Sequence, residues 1–575
     1  MSNSVALLSG TITGLGTDEG DLWCTYAAIR TLSWLGRLDE IPNRADTVDF
    51  LLSKRNTDGG YAWSRGMTSD AWATFYCTQA LRDLGHLVPD IERTAEWLSL
   101  TWSGEAYAMT PGQAPDVWAT HFSTRTAIEI CGVDVPDRDR LIDWLRRLQS
   151  PAGGVSWTPE HAVRGIADVR ACHYATTTFH TLAGQHSAIA LPWRTDDLID
   201  WIQHQQLPDG GFRFAESATE ACMWATFRAT AALAWLDAAP AEPVGTWIAR
   251  HRGSTGAYVR WDGYDVEDVW ASFCAVGALR ASGEHSPASD AIAALIATMA
   301  VPSGGFTYRE TGSAADVLTS AAAILAAPDS AEADRLRAWI PRCLLPNEGG
   351  VMYMPGRGAE VRSTLWALSA GAFERDERAR RRIGAWLTSI QNPDGGFGYW
   401  EGRGSDLVST AAAVEIAVSL SEPIGSVIDI AALAGFVGEC RTSAGEYGSA
   451  PGSQASARAG LQASRIFLAL GDSRAGDAER LLQTHRVRGG GWANDGNRVP
   501  DLLSTYEAVV TADRLGIALD TEHVHRFVDR ISAASGFRWS PLAANSGGAL
   551  AHCLGSLLRK RLSDRTARLP ALTLS

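Results

Sequence analysis

The stretch SIQNPDGGFGYW, from Ser389 to Trp400, and the segment DLVSTAAAVEIAVSL, which begins at Asp406, decide the fold of this chain. The first contains a pair of glycines followed by an aromatic residue, which marks a turn. The second is rich in small apolar residues with the spacing of a helix. Asp406 suits the first turn of that helix because its charge faces the positive end of the helix dipole. A glycine turn followed by a small apolar helix is therefore the structural unit.

The same unit recurs along the whole chain. Glycine pairs followed by an aromatic or apolar residue lie at Gly59, Gly153, Gly210, Gly304, Gly349, Gly395 and Gly489. The Asp that starts the apolar helix recurs at Asp70, Asp116, Asp268, Asp316, Asp406 and Asp501. With the weaker glycine turns included, successive units are roughly 44 to 57 residues apart, which is close to the range of helical-pair repeats.

These repeats predict an all-α fold. A second, more charged helix leads to the next glycine turn, as in ARRRIGAWLTSIQNPDGG. The Ala-rich helices can pack closely and suit the inner ring of a barrel, whereas the charged helices suit the outer ring. About eleven or twelve such hairpins predict two α/α barrels of about six hairpins each, and an open solenoid is the competing arrangement. A length of 575 residues also favours two large domains.

Charge, cysteine content and apolar runs indicate which partners and which location to expect. The net charge is −14, so nucleic acid is not an expected partner. Nine cysteines are scattered without a paired framework, which indicates a reduced, cytoplasmic protein. No apolar run reaches about 18 residues and the N-terminus lacks the features of a signal peptide, so no spanning helix is expected. Peripheral contact with a membrane stays open.

The glycine turns carry a family resemblance. SIQNPDGGFGYW and HQQLPDGGFRF, which spans 204–214, resemble the Q-x-x-D-G-x-[FW] repeats of squalene–hopene cyclases and their relatives. The hairpin repeat is shared with protein prenyltransferase β-subunits, but two barrels favour the cyclase branch. The chain length is similar to that of bacterial class II diterpene or sesquiterpene cyclases, which pair a β-type with a γ-type barrel.

The resemblance implies a particular domain arrangement. It places a γ-type barrel over residues 1–190, with an N-terminal segment that can pack on the other barrel. It places a β-type barrel, which carries the acid motif, over residues 191–575. Equal division of the repeats would instead put the boundary near residue 297.

The relatives carry an Asp-x-Asp-Asp motif whose middle carboxyl protonates an alkene or an epoxide. The close match here is Asp265-Val-Glu267-Asp268, with Glu at the middle position. Asp268 coincides with the Asp of the repeat, whereas Asp265 and Glu267 exceed what the repeat requires. Carboxylates this close cannot all ionise, and apolar surroundings raise the pKa further. Glu267 is therefore the predicted proton donor, with Asp265 tuning it and Asp268 as the third member of the motif.

Aromatic residues surround this motif in the sequence. Such rings can stabilise a carbocation through their π faces, or they can simply fill a core. The predicted cavity residues are Trp261, Tyr264, Trp270, Trp224 and Phe273.

The start of the chain, GLGTDEGDLW, offers a second acidic group. In β/γ cyclases, acids near the N-terminus are associated with Mg²⁺ and diphosphate, and the resemblance implies that role here. The residues concerned are Asp18, Glu19 and Asp21, with Lys54 and Arg55 a repeat later. Asp21 is also the Asp of its repeat, and surface acids are common.

Zinc is the rival chemistry, because protein prenyltransferases activate a thiolate with an Asp-x-Cys pair and a distant His. Here Glu220-Ala-Cys222 replaces the acid, and His173 precedes the pair instead of following it. A buried structural cysteine with an unrelated histidine explains these residues better, so no zinc site is predicted.

The resulting prediction is class II terpene cyclisation. A linear prenyl diphosphate, geranylgeranyl diphosphate first and farnesyl diphosphate second, is cyclised by protonation with its diphosphate retained and Mg²⁺ as cofactor. The alternatives are a zinc-dependent prenyltransferase-like enzyme and a non-catalytic helical-repeat binding protein.

Overall fold

A computed structural model describes residues 20–63, 68–184, 190–264, 266–307, 316–353, 358–401, 403–421, 423–494, 498–534, 536–544, 547–564 and 567–574. The chain divides into two compact units, Gly16–Gly312 and Ser313–Ser575, and Met1–Leu15 is grouped with the second. Both are helical. A short antiparallel pair, β1 (Ser532–Ala533) and β2 (Gly536–Phe537), lies in the second unit.

The first unit is a closed double ring of helices. Its inner helices are α1 (Leu22–Leu35), α3 (Ala71–Asp83), α5 (Val117–Arg125), α8 (Val169–Ala183), α10 (Met223–Trp235) and α12 (Val269–Ala281). Its outer and connecting helices are α2 (Arg44–Leu52), α4 (Ile91–Leu100), α6 (Arg138–Arg147), α7 (Pro159–Val163), α9 (Thr195–His204), α11 (Val244–Arg250) and α13 (Ser289–Thr298). Each inner helix packs against the next, and α12 packs against α1, so the ring closes.

The second unit repeats this arrangement. Its inner helices are α14 (Val317–Ala326), α16 (Val361–Ser369), α18 (Leu407–Ser419), α20 (Ala457–Ala469), α22 (Leu502–Leu515) and α24 (Gly548–Ser563). Its outer helices are α15 (Ala331–Trp339), α17 (Glu377–Ser389), α19 (Ile430–Glu439), α21 (Asp477–Thr484) and α23 (Thr521–Ile531). Contact between α24 and α14 closes this ring. Two closed rings with six inner helices each confirm the predicted all-α double barrel and exclude the open solenoid.

The repeated Asp and Thr hold each apolar helix to its glycine turn. Asp406 caps α18, where its Oδ1 accepts a hydrogen bond from the Ser409 backbone N–H at 2.7 Å. Thr410 Oγ1 accepts a hydrogen bond from the Phe397 backbone N–H at 3.0 Å. The spacing of Asp and Thr in DLVST therefore satisfies one backbone donor at the helix start and one in the turn.

The Gln of the repeat joins the turn to the next outer helix. Gln391 Nε2 donates to the carbonyls of Gly395, at 2.9 Å, and Asp429, at 3.1 Å. Its Oε1 accepts a hydrogen bond from the Asp429 backbone N–H at 2.8 Å. One amide thus satisfies backbone groups in two consecutive hairpins, which explains why Gln stands at this place in the repeat.

The first ring closes through the same contacts, made between its two ends. The Asp21 backbone N–H donates to the Phe306 carbonyl at 2.8 Å. The Phe306 N–H donates to Thr25 Oγ1 at 2.9 Å, and the Gly305 N–H donates to Thr47 Oγ1 at 3.2 Å. The last glycine turn of the ring therefore docks on the first hairpin.

The division between the units lies between residues 312 and 313. The boundary expected at residue 190 falls inside the first ring, because α8, before it, packs against α10, after it. Equal division of the repeats, near residue 297, comes closer. The physical reason is that this ring closes with six inner helices, and α10 and α12, which complete it, both follow residue 190.

Charged residues and a chain segment occupy the interior of the second ring. Arg465 Nη2 lies 2.5 Å from Glu507 Oε1, and its Nη1 lies 3.5 Å from Glu415 Oε1. Gln462 Nε2 donates to the Leu574 carbonyl at 3.1 Å. Burial raises the pKa of Glu507 and outweighs the opposing effect of Arg465. The segment that contains Leu574 therefore helps to keep this network away from water.

The remaining features concern membrane-spanning helices and cysteines. Within the described part of the chain, no helix combines the length and apolar character that crossing a membrane would require. All nine cysteines are free thiols, and eight of them are buried.

Candidate functional site

Asp268 caps α12 and pairs with a buried arginine. Its Oδ1 accepts a hydrogen bond from the Ala271 backbone N–H at 2.7 Å, and its Oδ2 lies 2.7 Å from Arg260 Nε. Both charged side chains are buried. The same cap hydrogen bond is made by Asp70, Asp116 and Asp406. Asp268 therefore acts first as a helix cap and as the partner of a buried guanidinium.

Glu267 immediately precedes Asp268, the cap of α12, and its side chain lies against the glycine turn before it. The Thr255 backbone N–H donates to both carboxylate oxygens of Glu267 at 3.1 Å. The Glu267 side chain also covers Gly253, where an added Cβ would stand 2.3 Å from Glu267 Cγ. Glu267 is partly buried. The carboxylate thus clamps the turn at residues 253–257 to the start of the helix.

Two other repeats contain the same clamp with the acid on the opposite partner. Asp58 Oδ1 accepts a hydrogen bond from Ser69 Oγ at 2.8 Å, and Asp394 Oδ1 accepts one from Ser405 Oγ at 2.6 Å. Ser69 and Ser405 stand immediately before the helix cap, as Glu267 does in its own repeat. In those repeats the turn carries the acid, whereas here the residue before the cap carries it. This exchange accounts for the extra carboxylate at position 267.

This geometry does not support the expectation that Glu267 is a shielded proton donor. The residue before a cap faces the turn, whereas the interior of the ring is lined from positions after the cap. Asp265, the expected tuning residue, lies outside the described residues. The structure therefore joins Glu267 and Asp268 through one helix start but gives both of them structural hydrogen bonds.

We expect Glu267→Gln to keep both the fold and any turnover near the level of the unsubstituted protein. The amide oxygen can still accept the Thr255 N–H, so the loss in unfolding free energy should stay below about 1 kcal/mol. Thermal unfolding and product formation are the measurements. Glu267→Ala is the control and should be the less stable of the two, because it leaves that N–H without its partner. A fall in turnover by orders of magnitude in a folded Glu267→Gln protein would restore the acid role.

A layer of tryptophans packs together inside the first ring. Each inner helix places the residue two positions after its cap toward the interior. These residues are Trp23, Trp72, Trp118, Arg170, Trp224 and Trp270, here called the tryptophan layer. Contacting rings in this layer have centroids 4.6–6.0 Å apart, as in Trp72–Trp118 and Trp23–Trp224. Arg170 replaces one indole and is paired with Asp168 at 2.8 Å.

A second layer follows one helical turn further along. Its members stand five positions after the caps and are Tyr26, Phe75, His121, His173, Phe227 and Phe273, here called the six-ring layer. Neighbouring rings form a closed circuit with centroid separations of 5.5–6.2 Å. Two imidazoles therefore lie among four phenyl or phenol rings inside the first unit.

The five predicted cavity aromatics separate into two groups. Trp224, Trp270 and Phe273 lie in the two interior layers, where Trp270 is 5.8 Å from Trp224 and 4.9 Å from Phe273. Trp261 and Tyr264 instead stack on each other at 4.4 Å in the loop before α12. The sequence thus identified three interior residues, but it also included two that belong to the turn region.

Of the residues expected to hold Mg²⁺ and diphosphate, the structure describes Asp21, Lys54 and Arg55. Asp18 and Glu19 lie outside the described residues, and Asp21 Oδ1 accepts the Cys24 backbone N–H at 3.1 Å as the cap of α1. Lys54 Nζ lies 4.3 Å from the centroid of the Phe50 ring. Among the residues that the structure covers, no cluster of three acids, histidines or cysteines could hold a metal ion.

Arg55, also expected at that site, faces the next hairpin instead. Its Nη2 lies 3.4 Å from Asp90 Oδ2, the residue before α4.

The residues weighed for zinc also have other roles. Cys222 caps α10, where its Sγ accepts the Ala225 backbone N–H at 3.4 Å, and Glu220 is exposed. His173 Nε2 lies 2.8 Å from Arg228 Nη1. Burial, with the charge of Arg228 as the next cause, holds the pKa of His173 well below its ordinary value.

The interior charges of the first ring were missed by sequence reasoning. Arg30 pairs with Asp83 at 2.7 Å and Arg125 with Glu129 at 2.8 Å. Arg228 is buried, and its hydrogen bond goes to an imidazole instead of a carboxylate. The sequence does show that Arg228 stands six positions after the cap of its helix. That spacing alone does not show that the position faces the interior of a ring.

Among the aspartates that cap described helices, Asp116 has the pKa most clearly shifted from its ordinary value. Burial raises its pKa to about 7, against the lowering effect of backbone hydrogen bonds. The folded protein therefore binds this proton more tightly than the unfolded chain, so stability falls as pH rises from about 4 to about 7. We expect Asp116→Asn to raise the melting temperature at about pH 8 and to have little effect at about pH 4. An equal change at both pH values would contradict this explanation, and Asp137→Asn is the control at a more exposed cap.

The repeat and the two closed rings agree with one known protein family. Residues 3–102, 67–242, 192–326 and 313–483 match the family described as the prenyltransferase alpha-alpha toroid domain. The chain belongs to this family. Its two rings are therefore two toroids, as the resemblance implied, and the first toroid carries the tryptophan and six-ring layers.

Named relatives of this toroid protein include terpene enzymes. A drimenyl diphosphate synthase from Streptomyces showdoensis is 28% identical over 298 residues, which cover 49% of this chain and 52% of that protein. The chain thus spans about half the length of this curated relative. The structure of ent-copalyl diphosphate synthase from Streptomyces platensis is 16% identical, with 97% of this chain and 98% of that chain covered and a TM-score of 0.36.

A further solved structure is Candida albicans protein geranylgeranyltransferase-I complexed with GGPP. It is 14% identical, covers 45% of this chain and 88% of its own, and has a TM-score of 0.36.

Proposed function

We propose that this toroid protein is a class II terpene cyclase. A linear prenyl diphosphate, geranylgeranyl diphosphate first and farnesyl diphosphate second, gains a proton at an alkene carbon. Ring closure follows, a proton is lost from the final cation, and the diphosphate stays on the product. The product is therefore an isomer of the substrate. The relative named as a drimenyl diphosphate synthase supports this choice of chemistry.

The observation that carries the proposal is the aromatic interior of the first toroid. The tryptophan layer and the six-ring layer bring indole, phenol and phenyl rings together around one axis. Aromatic faces attract cations, and this attraction is stronger where water is excluded. An interior of this kind suits an isoprenoid chain and the carbocations derived from it better than it suits a polar substrate.

A second candidate is a prenyl diphosphate-binding protein without cyclase activity. It is favoured by the contacts of the acid motif, since Glu267 clamps a turn and Asp268 pairs with Arg260. In this alternative the toroid keeps its aromatic interior but protonates nothing. Zinc-dependent prenyl transfer is less well supported, because Cys222 caps a helix and His173 contacts Arg228.

Magnesium enters the proposal with the substrate. A diphosphate in a protein of net charge −14 needs charge compensation, and Mg²⁺ bound to the diphosphate supplies it. We expect turnover to stop in excess chelator and to return when Mg²⁺ is added. Full activity with the chelator present would point to a neutral substrate such as squalene. The free thiols support the proposed cytoplasmic location.

Product analysis tests the proposal directly. The full chain is incubated with geranylgeranyl or farnesyl diphosphate and Mg²⁺, the products are dephosphorylated, and mass spectrometry is used to look for cyclic alcohols. Cyclic products that retain the diphosphate before phosphatase treatment are expected. Saturable binding of both substrates without any product would favour the binding protein instead. Asp265→Asn, measured beside Glu267→Gln, then tests which acid of the motif donates the proton.

A further inference from the structure

Several residues on one side of the six-ring layer keep a small solvent-exposed area. On α10, Phe227, Arg228 and Ala231 retain 6–8% of their exposed area, and on α8, His173 and Thr177 retain 7–8%. By contrast, Phe75 and Cys274, at the matching positions of α3 and α12, retain at most 1%. These five residues lie on the inner faces of two adjacent helices, and in the same layer Tyr26 of α1 also retains 6%. They therefore border one water-accessible space.

The space lies toward the carboxyl ends of the inner helices. Thr177 Oγ1 accepts a hydrogen bond from Trp235 Nε1 at 3.2 Å. The Trp235 ring stacks on His180 with a centroid separation of 3.7 Å, and both of these side chains are exposed. A ligand that enters past Trp235 would therefore meet Thr177 before it reaches His173 and Arg228.

Arg228 is the charge in this interior that has no carboxylate beside it. Arg30 and Arg125 each pair with an acid, but no acid of the described chain lies within ion-pair distance of Arg228. Its guanidinium carbon lies 4.7 Å from the Phe227 ring centroid and 5.3 Å from that of Tyr174. Its Nε has no hydrogen-bond partner among the described residues. A buried, unneutralised guanidinium is costly, so an anionic partner would relieve it.

His173 adds a second unsatisfied donor at the same place. A guanidinium only donates hydrogen bonds, so His173 Nε2 accepts from Arg228 and the neutral imidazole carries its proton on Nδ1. That Nδ1 also lacks a partner in the described part of the chain. Two N–H donors, one of them charged, are thus available beside aromatic rings.

We propose that Arg228 and His173 bind an anionic phosphate group inside the first toroid, with the aromatic rings around them holding an attached apolar chain. This inference deepens the proposed function, because it assigns the diphosphate of a prenyl substrate to this site. Free pyrophosphate shares the same anionic chemistry but lacks the chain. The neutral alcohol geranylgeraniol has the chain but lacks the anion.

Calorimetric titration of the full chain with inorganic pyrophosphate, geranylgeranyl diphosphate and geranylgeraniol tests the site. Arg228→Met should weaken binding of both phosphate-containing probes by about 10- to 100-fold, the effect of losing a charged hydrogen bond. It should leave geranylgeraniol binding much less affected. If Arg228 only stabilised the fold, Arg228→Met would change the affinities for all three probes by the same factor.

Stability of the ligand-free variants provides the second measurement. Arg228→Met removes an unneutralised buried charge, so its melting temperature should equal or exceed that of the unsubstituted protein. Arg125→Met is the matched control, since it strands Glu129, and it should melt lower while still binding pyrophosphate. Unchanged pyrophosphate affinity in Arg228→Met, or a melting temperature as low as that of Arg125→Met, would overturn the proposed site.

The two proposals fail in different ways. Cyclic products formed by Arg228→Met with an unchanged KM would remove the anion site and leave the cyclase proposal standing. Arg228-dependent binding of pyrophosphate, together with no cyclic product from the unsubstituted protein, would keep the site and remove the cyclase.

Discussion

Replacing Arg465 with methionine should lower the free energy of unfolding by about 3–5 kcal/mol, the cost of breaking a buried ion pair from one side. The substitution leaves Glu507 and Glu415 inside the second toroid without their shared guanidinium. Methionine keeps much of the side-chain length, so the loss reflects charge more than volume. Urea-induced unfolding followed by circular dichroism measures the change.

Two controls test this prediction, one at an exposed ion pair and one at the acidic partner of Arg465. Arg474→Met removes an ion pair of similar length, 2.6 Å to Asp472, but both side chains are partly exposed, so little change is expected. Adding Glu507→Gln to Arg465→Met should recover part of the loss, because it removes a stranded charge. Since burial raises the pKa of Glu507, the defect of Arg465→Met should also shrink as pH falls and that carboxyl becomes protonated. A defect independent of pH and equal to that of Arg474→Met would contradict this account.

The second large effect is expected at Gly304, where the first toroid closes. Gly304 has φ +100°, and a Cβ added there would stand 2.1 Å from the Asp46 carbonyl oxygen on α2. Backbone cannot move aside as a flexible side chain can, so Gly304→Ala should force the last turn away from the first hairpin. We expect a loss of more than about 3 kcal/mol, measured by urea unfolding.

Gly36→Ala separates backbone strain from the clash. Gly36 also has positive φ, +71°, but nothing lies within 4 Å of the added Cβ. Its substitution should cost only the strain of a left-handed conformation, roughly 1–2 kcal/mol. Equal losses at Gly36 and Gly304 would show that the contact with Asp46 has no importance for closure.

Local sequence was sufficient to predict the repeat because each element of it acts on nearby backbone. Asp406 caps the helix that it starts, and Thr410 accepts the N–H of Phe397 thirteen residues earlier. Hydrogen bonds of this range depend on residue order alone once the turn forms. The helix pattern, the turns and the two-barrel fold could therefore be predicted from the order of the residues.

The acid motif shows where this local reasoning stops. Asp265, Glu267 and Asp268 looked exceptional because three acids adjoin one helix start. The surplus at Glu267 is explained by the turn it clamps, as Asp58 and Asp394 clamp theirs from the opposite partner. Sequence shows which side chains are acidic, but it does not show which hydrogen-bond donors they meet.

The sequence by itself determined the helical repeat, its caps and its turns, since these depend on neighbours within about one hairpin. Only the tertiary structure decided where the first ring ends, because closure requires α12 to meet α1 across more than two hundred residues. It also decided that Arg30 and Arg125 would find carboxylates while Arg228 would find an imidazole. The positions after each cap are equivalent in sequence, but the partner of each inner side chain comes from a different helix around the ring.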